Sequence, residues 1–497
     1  MPPNTPASLE ATGYGKLVPV FNNAEFQIIM SNPDSASAAD PSLPPEIFKA
    51  YDIRGIVNKT LTAENVERIG QALGSEAQAL NQKRFVVGRD GRLSGPELSA
   101  ALCRGLAKSG CDVVDIGMVP TPVVYFAVQH LGAGSGVAVT GSHNPPDYNG
   151  LKMVIGGVTL SGEAIQKLRI RSLNNEIVTG QGTISKTDVR GAYLDRVVND
   201  VKLARPMRVA VDCGNGVAGE LAPQLLKRLG CRVTELFCQV DGTFPNHHPD
   251  PSKPENLADL IAEINKGGYD AGLAFDGDGD RLGVISPDGN VIWPDRQMVL
   301  YARDVLSRHP GGEIIYDVKC SRTLDKEIRK AGGKPTMWKT GHSFIKAKLK
   351  ETGALLAGEM SGHIFFKERW YGFDDGLYTA ARLLELLSRD SRPPKDIFDS
   401  LPNTVNTPEL NLKLAEGEHF ALIKELVKRA HFPDAKLTTI DGLRADFADG
   451  FGLVRASNTT PVLVFRFEAD NMPALEKIQN RFRELVQSAK PDAALPF

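Results

Sequence analysis

One design occurs three times in this chain, and it limits the folds available to it. Phe85–Val87 runs into Gly88-Arg89-Asp90-Gly91, Val209–Val211 into Asp212-Cys213-Gly214-Asn215-Gly216, and Ile314–Ile315 into Tyr316-Asp317-Val318-Lys319. Each copy is a short apolar, β-rich run, then a polar turn, then a helix-like stretch, which is the pattern of a βα unit in a parallel or mixed sheet. The copies stand on the order of 100 residues apart, so three α/β domains of similar build are expected. A different pattern follows Leu401-Pro402-Asn403-Thr404. It holds a helical run near 416–430 and a hairpin-like pair, Gly452–Arg455 and Pro461–Glu468. The fold class expected is therefore α/β, three related α/β domains with mixed sheets plus a smaller C-terminal α+β domain on a mobile linker.

A chain of 497 residues exceeds what one apolar core usually serves, in keeping with several domains. Residues 1–43 differ from the rest: they are rich in Pro, Ser, Ala and Asn and read as a disordered leader, with Met30 a candidate start. The remaining divisions fall at 44–188, 189–290, 291–402 and 403–497. Lys and Arg total 58 against 60 Asp and Glu, a balance that argues against general affinity for nucleic acid or an anionic membrane. No apolar run approaches the roughly 20 residues of a membrane-spanning helix. Six cysteines without a CxxC pair suit free thiols in a reducing cytoplasm better than a zinc site or a disulfide framework.

Four short segments carry chemistry. In Thr140-Gly141-Ser142-His143-Asn144-Pro145-Pro146, a strand from Gly136 to Val139 enters and Leu151–Ile155 leaves, so Ser142 is expected on a rigid exposed loop with Lys152 close behind. A polar turn satisfying its own backbone is the plainer reading of this stretch. Asp276-Gly277-Asp278-Gly279-Asp280-Arg281 follows the apolar Ala271–Phe275. Three carboxylates at alternate positions can converge and would repel unless a hard divalent ion joins them; Arg281 and Pro287 rule out an EF-hand loop, so Mg²⁺ fits better, with a solvated acidic turn as the plainer reading. Gly358-Glu359-Met360-Ser361-Gly362-His363 offers a carboxylate and a hydroxyl suited to sugar hydroxyls, or is an ordinary turn. Arg455-Ala456-Ser457-Asn458-Thr459-Thr460 offers a guanidinium, hydroxyls and turn amides to a phosphate, or is a polar hairpin turn. His247-His248, between two prolines, reads as a rigid connector more than as a metal site.

Together and in this order, the four segments resemble those of the α-D-phosphohexomutase superfamily, specifically its bacterial phosphomannomutase/phosphoglucomutase branch, over nearly all of residues 44–497. The resemblance implies four domains around a central cleft and an enzyme that interconverts hexose 1-phosphate and hexose 6-phosphate of glucose and mannose. It implies Ser142 as the phosphoserine, with Asp276, Asp278 and Asp280 holding Mg²⁺ together with the phosphoserine oxygen. Glu359 and Ser361 are implied to contact the sugar, and Arg455, Ser457, Asn458 and Thr459 the phosphate that is not reacting. Tyr51, Arg54, Lys152, Arg281, Lys319 and His342 fall where the family lines its cleft, with Lys152 and His342 as candidates for proton transfer and Arg54 beside them. A hexose 1,6-bisphosphate serves as intermediate and activator, and a monomer is slightly favoured. Met360 matches the glucose and mannose enzymes, whereas phosphoglucosamine mutases carry Gln there; that mutase and a non-catalytic sugar-phosphate binder are the alternatives.

Overall fold

The computed structural model describes residues 43–497. The leader and Met30 lie outside the described residues, apart from Leu43, which is fully buried in an apolar core with Ile47, Phe85 and Val137.

Four sheets carry the described chain. The first holds β1 (Ile53–Ile56), β2 (Arg84–Arg89), β3 (Asp112–Met118), β4 (Gly134–Val139), β5 (Tyr148–Ile155), β6 (Val158–Thr159) and β7 (Ile184–Lys186), ordered β1-β5-β4-β2-β3-β7 with β6 on β5. The second holds β8 (Arg208–Asp212), β9 (Arg232–Leu236), β10 (Ala271–Phe275), β11 (Leu282–Ile285) and β12 (Val291–Ile292), ordered β12-β11-β10-β8-β9. The third holds β13 (Glu313–Asp317), β14 (Lys334–Trp338), β15 (Leu356–Gly358) and β16 (Ile364–Phe366), ordered β14-β13-β15-β16. The fourth holds β17 (Val405–Asn406), β18 (Leu410–Lys413), β19 (Lys436–Thr438), β20 (Leu443–Asp446), β21 (Gly450–Ala456) and β22 (Val462–Ala469), and all its pairings are antiparallel.

The first three sheets follow one plan. β2, β8 and β13 each lie between two parallel neighbours: β4 and β3, β10 and β9, β15 and β14. One of those neighbours then turns back as an antiparallel hairpin, β4 into β5, β10 into β11, β15 into β16. The central parallel strands are apolar in their middles, as expected of strands buried on both faces; all five residues of β10 are buried. The hairpin turns thus open at the carboxyl ends of parallel strands, where ligands collect in α/β sheets. They carry Ser142, the Asp276–Asp280 run and Glu359–His363, and the β21–β22 hairpin carries Ser457–Thr460.

A shared apolar core joins the first three sheets, with Phe126, Tyr193, Trp370 and Tyr378 among its members. The fourth sheet has its own core around Phe465, Phe467 and Phe482. Two buried arginines fasten it to the third: Arg444 donates to Val318 O and Cys320 O at 2.7 Å, and Arg466 to Asp295 Oδ2 at 3.0 Å. Among the described residues no helix is long and apolar enough to cross a membrane.

Candidate active site

The serine turn is built from its own sheet. Asp90, just past β2, accepts from Thr140 Oγ1 at 2.8 Å and from Gly141 N at 3.1 Å, and Thr140 Oγ1 in turn accepts from Ser142 N at 2.7 Å. Arg92 donates to the carbonyls of Ser142, Asn144 and Tyr148 at 2.6–2.9 Å and is 1% exposed. A planar fork of donors matches several carbonyls at once, and Asp90 meets its charge at 3.2 Å. These ties hold Ser142 at φ +50°, the left-handed region that a residue with a side chain seldom adopts.

Ser142 is not exposed as its sequence suggests: it is 1% exposed. Burial comes from residues distant in the chain. Asp276 Oδ2 lies 3.3 Å from its Oγ, the Phe244 ring sits over Arg92 at 5.1 Å, and His248 bonds the carbonyl of His143. His248 thus braces the serine turn, while His247 bonds Asp212 at 3.0 Å.

Asp276, Asp278 and Asp280 are fully buried and bring one oxygen each within 4.8 Å of one another. Lys152 Nζ stands between two of them, 2.7 Å from Asp278 Oδ2 and 2.5 Å from Asp280 Oδ2. Burial and the other two carboxylates push Asp276 well up, whereas Asp280 is held well down because Lys152 and His363 outweigh its burial. Asp278 Oδ1 and Asp280 Oδ1 have no hydrogen-bond partner. Two bare buried carboxylate oxygens in an all-oxygen donor set fit a hard divalent cation.

The third turn is coupled to this one through the backbone: Arg281 and His363 form an antiparallel bridge, and Leu282 N donates to Gly362 O at 3.3 Å. His363 lies 3.1 Å from Glu359, 3.4 Å from Asp280 and 2.9 Å from Ser361 Oγ. Burial and Arg281 push its pKa down, but Asp280 and Glu359 prevail and raise it to about 9. Arg281 Nε donates to His363 Nε2 at 3.1 Å, and His363 Nδ1 faces Glu359 at 3.1 Å. His342 shows the opposite behaviour. Its ring nitrogens have no hydrogen-bond partner, and burial, with Lys346 and Lys152 nearby, holds it well below the ordinary imidazole value. The two rings are 5.8 Å apart, and Tyr51 meets His342 edge-on at 5.5 Å.

At the far end Arg455 pairs with Asp441 at 3.0 Å and keeps Nη2 without a partner, while Ser457 Oγ accepts from Thr459 N and Thr460 N at 3.3 Å. Lys319 Nζ pairs with Glu409 at 2.6 Å.

One cleft of about 800 Å³ gathers these turns. Tyr51, Arg54, Ser142, Lys152, Arg281 and Lys319 line it, as do His342, Glu359, Ser361, Arg455, Ser457 and Thr459. Asn458 shares the last turn but does not line the cleft, and the three aspartates lie beneath its floor. His143, His363 and Glu409 also line it, though nothing in the sequence singled them out. His363 closes the Gly-Glu-Met-Ser-Gly-His turn, but its importance rests on Asp280 and Arg281 from another sheet.

Family models match the chain in four consecutive stretches, described as phosphoglucomutase/phosphomannomutase alpha/beta/alpha domain I (residues 45–176), domain II (191–289), domain III (293–405) and C-terminal domain (409–485). The chain belongs to the phosphoglucomutase/phosphomannomutase family. Similar relatives include the phosphomannomutase/phosphoglucomutase of Pseudomonas aeruginosa, 55% identical over 93% of this chain and 100% of that one. The phosphoglucomutase of Neisseria gonorrhoeae is 57% identical over 90% of this chain and 98% of its own length. An X-ray structure of a phosphoglucomutase/phosphomannomutase family protein from Burkholderia thailandensis superposes with a TM-score of 0.87 at 56% identity, covering 92% of this chain and 100% of that one. As a member of this family the chain is an intramolecular phosphotransferase acting on hexose phosphates.

Proposed function

We propose that the chain interconverts the 1- and 6-phosphates of glucose and of mannose through a phosphoserine at Ser142 and a hexose 1,6-bisphosphate. The observation that supports this reading most is the pairing, within one cleft, of a buried serine beside three carboxylates with a separate arginine and hydroxyl turn at Arg455. A phosphatase needs one phosphate position; a mutase needs two. The domain divisions at 44–188, 189–290, 291–402 and 403–497 then assign one turn to each domain.

Phospho-Ser142 gives its phosphoryl group to the free hydroxyl of a hexose monophosphate: the P–O bond to Ser142 breaks as one to the sugar forms. The bisphosphate turns end for end, and its other phosphoryl group returns to Ser142. Glu359 and Ser361 bind the sugar hydroxyls, while Arg455, Ser457, Asn458 and Thr459 hold the idle phosphate, with Tyr51 and Lys319 beside them. Substrate phosphate competes with Glu409 for Lys319. Lys152, fixed between two carboxylates, acts as a positive charge rather than a proton carrier, and Arg54 and Arg281 add to it. His342, whose two ring nitrogens have no partner, exchanges a proton with the sugar hydroxyl.

Asp276, Asp278 and Asp280 would hold Mg²⁺. When bound, it supplies charge to the phosphoryl oxygens. Free hexose 1,6-bisphosphate also acts as activator by restoring a Ser142 that has lost its phosphate to water. Met360, set by its N–H donating to Asp317 at 3.2 Å, supports glucose and mannose over glucosamine. Resemblance to the family alone favours a monomer, and six unpaired thiols support a cytoplasmic location.

Intact mass of the purified enzyme tests the assignment. One added phosphoryl group, mapped to the Ser142 peptide, is the expected result; an unmodified Ser142 during turnover contradicts it.

A further inference from the structure

Cys213 and Cys238 leave the carboxyl ends of β8 and β9, where the register sets Asp212 beside Leu236. Parallel neighbours bring backbones to about 5 Å, inside the range a disulfide spans. The two sulfurs are 3.5 Å apart. Of the six cysteines, Cys238 alone is not fully buried. Cys213 is fully buried and Cys238 is the more exposed of the two, so Cys238 is the sulfur that a reagent reaches first.

The turn that carries Cys213 is fastened on both sides. Asn215 N donates to Phe237 O and Asn215 Nδ2 to Gln239 O, both at 2.8 Å. On the other side Val217 N donates to Gly277 O at 3.1 Å, and a Cβ on Gly216 would stand 3.0 Å from Gly277. Gly277 sits between Asp276 and Asp278, and a Cβ there would come within 2.3 Å of Ser142 O. Closing the sulfurs to about 2.05 Å draws this turn toward β9 and away from the carboxylates it props.

We propose that Cys213 and Cys238 form a peroxide-sensitive disulfide that switches the mutase off. The Cys238 thiolate attacks hydrogen peroxide; an S–O bond forms, the O–O bond breaks, and one water leaves with the thiol proton. The Cys213 sulfur then displaces the hydroxyl of the sulfenic acid, forming the S–S bond and releasing a second water. Two thiols lose two electrons, and peroxide is reduced to two waters. Reversible disulfides of this kind are the usual form in reducing compartments.

The test treats the Mg²⁺-loaded full-length enzyme with hydrogen peroxide, blocks free thiols, and runs a non-reducing peptide map beside initial rates. The expected result is a cross-linked Cys213–Cys238 peptide, a loss of rate of at least about tenfold, and recovery with dithiothreitol. Cys238→Ser keeps its basal rate and resists peroxide. Oxidation of Cys238 without a cross-link overturns the proposal, as does a cross-link with unchanged rate, or equal inactivation of Cys238→Ser. The peptide map is read on the native chain and does not depend on which sugar the enzyme takes.

Discussion

Ser142 Oγ lies 3.3 Å from Asp276 Oδ2 although 134 positions separate them in the chain. Two hairpin turns from different sheets meet there, and the proposed transfer depends on that meeting. A phosphoryl group on Ser142 carries roughly −1.5 to −2 charges. It is tolerated against three aspartates only where Lys152, Arg281 and a metal balance it.

Ser142→Ala removes the proposed nucleophile and only one hydroxyl from the cleft. Normal turnover is expected to vanish while the substrate still binds. Rates close to the parent enzyme in a coupled assay would place the phosphoryl carrier elsewhere.

Gly277→Ala tests the approach of the two turns. The added Cβ has Ser142 O at 2.3 Å, so either turn must retreat. The account predicts a kcat reduced at least about tenfold with a smaller change in KM, since a small misplacement costs most in the chemical step. Equal kcat in both proteins would mean the approach has no catalytic weight.

Arg455→Ala removes a charged donor from the proposed second phosphate position. Hydrogen bonds to charged groups contribute about 1.5–3 kcal/mol, so KM should rise roughly ten- to a hundredfold. Ser142 should stay phosphorylated, as intact mass will report. Loss of that phosphate would assign Arg455 to the serine end.

His247 gives a prediction in pH. Burial lowers its pKa, but Asp212 at 3.0 Å outweighs this and raises it above the ordinary value. The folded state therefore binds the proton more tightly than the unfolded one. The pair's contribution is full below about pH 6.5 and fades as pH rises through the folded value. Thermal unfolding of His247→Asn and the parent should differ by up to about 1 kcal/mol near pH 6, and the difference should shrink as the pH rises. A difference that grows toward high pH would reverse the sign and refute the pairing.

Much of the plan was legible because its signals are local. The repeated βα units, the Ala271–Phe275 strand and the last hairpin follow from short apolar runs and their turns. Alternating Asp and Gly at 276–280 has little use other than a cation, so that turn stood out. What the sequence hid is what the tertiary fold supplies. Ser142 read as exposed because its cover, Asp276, Gly277 and Phe244, arrives from another domain. His363 read as the end of a polar turn because Asp280 and Arg281, which hold it, are about 80 positions away. Arg92, a buried tie for the serine turn, carries no motif of its own that could have marked it.

The central claim is the transfer itself. Phosphorus NMR on the purified enzyme with Mg²⁺, glucose 1-phosphate and a trace of glucose 1,6-bisphosphate follows it directly. The account predicts that the 1-phosphate signal falls as the 6-phosphate signal rises, with mannose 1-phosphate behaving alike. Release of inorganic phosphate in place of the 6-phosphate would contradict it.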